Sequence, residues 1–219
     1  MQSRSLLGEE LGRLRSELTV MAARVEDDLQ KAREMLRTGD EDLAKEVKDS
    51  GRIVDELQLK VEDMALVLIA TQQPVARDLR ELITLFKLTA NLERINDYVI
   101  HLAKIAKKLA SRPPFQAMER IERMAETSQT MLKAAFSAYL SQDIEAAREA
   151  AAMDDAIDVE HKALVDEVLA LMKENPKRIK SASRLVRLSG FMERLGDHIT
   201  NMCEAIIFMV KGSHVKLNE

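Results

Sequence analysis

The chain has 219 residues, 46% apolar and 32% charged, with only 7 glycines and 4 prolines. That is the composition of a folded protein with a sizeable core and little punctuation, not of a disordered one. A net charge of −4, 3% aromatic residues and no tryptophan argue against a nucleic-acid partner, which needs a basic footprint and stacking rings.

The breaks come in a regular order: Thr38-Gly39-Asp40, Pro74, Pro113-Pro114, Ser141-Gln142-Asp143 and Pro176. Between them run six segments of roughly 27 to 37 residues rich in Ala, Leu, Glu, Lys, Arg and Met, the strongest helix formers. Asp40 and Asp143 each precede an alanine- and glutamate-rich run, the position of a helix N-cap. The expected fold is all-α: six long antiparallel helices and no sheet. The longest apolar run, Met64 to Ala70, is far short of the ~20 residues of a membrane span. The opening residues lack a signal-peptide pattern and Cys203 is the only cysteine, so a cytoplasmic location is expected.

The third segment carries Leu85, Leu88, Leu92, Ile95, Val99, Leu102, Ala106 and Leu109 in steps of three and four, an apolar seam down one helix face. One hundred residues later stand Leu185, Leu188, Met192, Leu195, Ile199, Met202, Ile206 and Met209. At this apolar content, eight fixed positions are all apolar only about 0.2% of the time by chance. Segments two and five align at a slightly larger offset, pairing Asp40 with Asp143, Ala44 with Ala147 and Asp55 with Asp158. Two related three-helix units are therefore expected, at 1–112 and 113–219, joined near Ser111–Phe115.

Both third helices spell Glu-Arg-apolar-x-Asp: Glu93 to Asp97, and Glu193 to Asp197. Carboxylates at i and i+4 lie about one turn apart on one face and can address one cation. Spacing alone is weak evidence: the sequence holds six such acidic pairs, about the number that chance supplies. What separates these two is their stripe. Leu79, Leu82, Phe86, Ala90, Glu93, Asp97 and Ile100 share one side of the helix, matched by Ile179, Ala182, Val186, Gly190, Glu193, Asp197 and Thr200. Repelling acids in a partly apolar stripe call for a cation, either a metal or a neighbouring Arg. The fifth segment adds Asp154 and Asp158; packing beside the sixth helix brings four carboxylates together. In the first half Gly51 stands where Asp154 does, leaving Asp55, Glu93 and Asp97 as the weaker set. All-oxygen donors suit Fe(III), Mn, Mg or Ca better than Zn. His161 and His198 lie near these acids, and a lone helix-surface histidine is ordinarily just solvated.

These residues, with Asp154-Asp155-Ala156-Ile157-Asp158 and the run Thr71 to Arg80, resemble the PhoU family of phosphate-transport regulators over essentially the whole chain. The resemblance implies two three-helix bundles and a non-enzymatic cytoplasmic adaptor. Its partners would be the ATPase subunit of the phosphate ABC transporter and a sensor histidine kinase, with negative control of phosphate-starvation signalling. It also implies a metal cluster, iron first and Mn, Mg or Zn as alternatives, on Asp154, Asp158, Glu193 and Asp197, and in the other half on Asp55, Glu93 and Asp97. A homodimer is expected as well. Two rivals stand beside this reading: a metal-free structural adaptor, and a di-iron carboxylate enzyme, whose Glu-x-x-His signature is absent from the sequence.

Overall fold

A computed structural model describes residues 2–109 and 117–218. The helices are α1 (Gln2–Thr38), α2 (Glu41–Gln72), α3 (Ala76–Leu109), α4 (Ala117–Ser141), α5 (Ile144–Ala152), α6 (Asp154–Glu174) and α7 (Ile179–Lys211), with a 3-10 turn at Pro176–Arg178. No strand occurs among the described residues. The expected fifth helix is present but interrupted at Met153, whose N–H bonds back to Ala150 and Ala151 carbonyls, so that α5 and α6 form one broken helix. The joint expected near Ser111–Phe115, with the unit boundary at 112, lies outside the described residues.

Local chemistry explains the ends. Asp40 caps α2 by accepting from Asp42 N–H, and Asp143 caps α5 by accepting from Glu145 and Ala146 N–H, each cap worth about 1 kcal/mol. Gly39 takes the left-handed φ of 73° that the first turn demands, and its N–H closes α1 on Met35 O at 2.8 Å. The matching turn in the second half places Gln142 at φ 55°. Pro176 opens the 3-10 turn before α7, where no helical N–H is lost.

Helices α1, α2 and α3 pack on one another as one three-helix bundle, and α4, α5–α6 and α7 as the second. The two bundles join through an extensive α3/α7 face, with α1 also touching α4. All sixteen seam positions on α3 and α7 are buried. The seams are thus consumed inside one chain, and a single continuous core runs through both repeats.

Candidate metal centres

Helices α6 and α7 lie side by side, and this brings Asp154, Asp158, Glu193 and Asp197 into one electrostatic group. Asp154 opens α6 and is 4% exposed. Its Oδ2 accepts from Thr200 Oγ1 and Asn218 Nδ2, each at 3.2 Å, while its Oδ1 is buried with no partner. Burial, then the charge of Asp158, pushes its carboxyl up to about 6 against the donors Asn218 and Thr200. Asp158 is raised by burial and then by Asp197, with His161 opposing. Glu193 is raised by burial, then by Asp197, with Asp158 adding and His161 opposing. Asp154, Asp158 and Glu193 thus hold their protons more tightly than carboxylates in water do, first through burial and then through neighbouring acidic charge, which is the electrostatic condition a cation relieves.

The room for Asp154 comes from Gly196: a Cβ there would collide with Asp154 Oδ1. The equivalent pair in the first half is inverted. Gly51 of α2 faces α3 so closely that a Cβ would stand 2.7 Å from Ile100 Cδ1, and the buried polar side chain, Asn96, is on α3. Gly51 thus lets α2 lie close against the Ile100 side chain of α3.

In that half, Glu93 is raised by burial, then by Asp97, with Asp55 adding and Arg94 opposing, so Asp55, Glu93 and Asp97 also share one neighbourhood. Arg94 approaches Glu93 Oε2 at 3.3 Å and Asp97 Oδ2 at 3.7 Å. It is the half with fewer acids and its own counter-ion. Among the described residues no group of three Asp, Glu, His or Cys side chains is drawn together tightly enough to hold an ion in its present rotamers. The donor set fits a hard cation all the same: its members are oxygens, and one buried oxygen is left unsatisfied.

The histidines divide. His161 lies within electrostatic reach of Asp158 and Glu193. Because the Ser189 hydroxyl donates to Val186 O, it is His161 Nδ1–H that donates to Ser189 Oγ at 3.0 Å. His198 turns away into the α3/α7 interface, with Nδ1 donating to Asn91 Oδ1 at 2.8 Å. Cys203 is buried and its thiol is pushed up to about 12, chiefly by burial, so it offers no thiolate at neutral pH. Sequence reasoning missed Asn218, which lies beyond the last helix, and the bonding role of Thr200. Thr200 was in the acidic stripe, and that was a usable signal; Asn218 gave none.

No helix among the described residues is long and apolar enough to cross a membrane. The family model for the PhoU domain matches the chain twice, at residues 18–106 and 121–206. A phosphate-specific transport system accessory protein PhoU homolog from Clostridium acetobutylicum is 31% identical over 99% of this chain and 100% of its own length. One from Caulobacter vibrioides is 33% identical over 95% of this chain and 91% of its own. Crystal structures of PhoU from Pseudomonas aeruginosa (28% identity, 94% of this chain and 99% of that one) and of the phosphate transport system regulatory protein PhoU from Streptococcus pneumoniae (26%, 96% and 100%) both superpose with a TM-score of 0.90. With both repeats matched and the full length covered, the chain belongs to the PhoU family.

Proposed function

We propose that this protein is a cytoplasmic, non-enzymatic regulator of phosphate uptake. In this reading it links the ATPase subunit of the phosphate ABC transporter to a sensor histidine kinase and restrains the phosphate-starvation response. The observation that carries the reading is the full-length likeness to accessory proteins of phosphate-specific transport, in both repeats. Deleting the gene tests it: the starvation response should switch on in phosphate-rich medium, and the purified protein should retain the transporter's ATPase subunit on a column. A response that stays silent, with no retention, refutes it.

Metal binding is the second layer of the proposal. Asp154, Asp158, Glu193 and Asp197 would hold the ion in the second half, and Asp55, Glu93 and Asp97 in the first, with iron the leading occupant. A cation there would neutralise the acids and tie α6 to α7. Support comes from the raised carboxyls of Asp154, Asp158, Glu193 and Glu93, each beside other acids, and from the unsatisfied Asp154 Oδ1. For the first half the metal-free reading has its own observation, since Arg94 already sits on Glu93 and Asp97. Plasma mass spectrometry of untagged protein beside a Glu193→Ala/Asp197→Ala variant separates the two: stoichiometric metal lost in the variant supports the metal reading, and none in either removes it. Self-association is part of the proposal too, through surfaces other than the buried seams, and sedimentation velocity reads it directly.

A further inference from the structure

Beyond α7 the chain turns at Gly212, whose left-handed φ of 80° suits glycine, and its N–H closes the helix on Phe208 O at 2.8 Å. Residues 213–218 then run back along α7. His214 stacks on Phe208 with ring centroids 4.2 Å apart and planes 6° from parallel. Leu217 N–H donates to Glu204 Oε1 at 2.8 Å, and Val215 and Leu217 rest against the core. The strap ends with Asn218 Nδ2 donating to Asp197 Oδ1 at 3.1 Å and to Asp154 Oδ2 at 3.2 Å.

An amide NH2 between two carboxylates does weakly what a cation does strongly. It offers two polarised hydrogens to oxygens that repel each other, without neutralising them. A hard cation bonds carboxylate oxygens at about 2.0–2.6 Å, closer than the Asn218 nitrogen stands now, and it repels N–H hydrogens. The amide donor and the cation therefore compete for the same two oxygens. The buried Asp154 Oδ1, without a partner, shows that the amide leaves this group incompletely satisfied. The acids of the first half are met instead by Arg94 from their own helix.

We propose that Asn218 is a gating residue of the second cluster: its amide holds Asp154 and Asp197 in the absence of a cation and is displaced when a hard divalent or trivalent cation takes them, releasing the strap 213–218. Cation occupancy on α6 and α7 is thereby converted into exposure of a surface segment. This rests on the metal reading above, as a refinement of it.

The test uses the full chain and Mn(II) as the probe. Equilibrium dialysis compares the parent with Asn218→Ala, a surface change that leaves the core intact, while hydrogen exchange follows the Leu217 amide with and without Mn(II). The variant should bind Mn(II) roughly three- to tenfold more tightly, the fold-change of losing one competing hydrogen-bonded group, and Mn(II) should speed exchange at Leu217 in the parent. Binding that is equal or weaker in the variant, with exchange at Leu217 indifferent to Mn(II), overturns the gate and leaves the metal reading standing. Absence of Mn(II) binding in both proteins overturns the two together.

Discussion

Tyr98 of α3 and His198 of α7 occupy equivalent positions in the two repeats, and their rings meet with centroids 5.7 Å apart. Around this contact the neighbours also exchange roles: Tyr98 lies 5.8 Å from the ring of Phe191, and His198 bonds to Asn91, the counterpart of Phe191. A residue of one repeat touches the partner of the residue that touches its own partner, which is what a pseudo-twofold axis through an antiparallel helix pair produces. Both acidic motifs, 93–97 and 193–197, therefore sit beside the junction of the bundles.

If this junction is held by its rings, Tyr98→Ala and Phe191→Ala should each destabilise the chain, and the double variant should lose less than the total of the singles. An aromatic pair at this separation couples by about 0.5–1.5 kcal/mol. A denaturant-unfolding cycle measures it, and strict additivity would show that the rings merely lie near each other.

The ion pair between Arg15 and Glu81 ties α1 to α3 with two parallel bonds, Nε to Oε1 at 2.5 Å and Nη2 to Oε2 at 2.8 Å. Glu81 is 3% exposed, and Tyr139 of α4 lies alongside, its hydroxyl pushed well up by burial and then by the charge of Glu81. Removing Arg15 leaves a buried carboxylate without its counter-ion, so Arg15→Ala should cost about 3 kcal/mol, whereas the Arg15→Met/Glu81→Met pair should fall close to the parent. Equal losses in the single and double variants would contradict this account.

Much of the architecture was legible because helix periodicity repeats. The seam from Leu85 to Leu109 and its copy from Leu185 to Met209 specify which faces are buried, and every one of these positions is buried. Asp40 and Asp143 were readable as caps because capping is local chemistry. The break at Met153 was not, since no glycine or proline marks it. Nor was the inversion between Gly51/Asn96 and Asp154/Gly196, because that exchange of bulk across two helices exists only once they are packed. Asp28 was invisible for a related reason: a charged residue in a polar-looking stretch of α1 is buried, with Ser50 of α2 beside it, only in the assembled bundle.

Asp28 gives the chain a pH dependence of its own. It is fully buried, neither oxygen has a hydrogen-bond partner in good geometry, and burial pushes its carboxyl up to about 6 while Ser50 and Arg24 pull it down. The folded state therefore keeps a proton that the unfolded chain releases near 3.8. This contribution to stability is complete below 3.8 and is lost as pH rises through about 6, at most about 3 kcal/mol. Asp28→Asn should stabilise the protein by roughly 2 kcal/mol at pH 7.5 and by nothing below pH 4. Urea midpoints across that range give the answer, and an Asn variant no more stable than the parent at pH 7.5 would rule the mechanism out.

The last prediction concerns the contact that seats Asp154. A methyl at Gly196 would meet Asp154 Oδ1, whereas a methyl at Gly51 meets Ile100 Cδ1, the far end of a flexible chain. Alanine at either site gains up to about 1 kcal/mol of helix propensity. At 51 a small movement of Ile100 relieves the clash, and the net change should be slight. At 196 the carboxylate must leave its bonds to Thr200 and Asn218, so Gly196→Ala should cost about 1–3 kcal/mol. Adding Asp154→Gly, which gives position 154 the residue found at 51, should recover most of that loss. Unfolding of the four proteins in guanidinium decides the point: a Gly196→Ala penalty that persists undiminished beside Asp154→Gly would place the clash elsewhere than at the carboxylate.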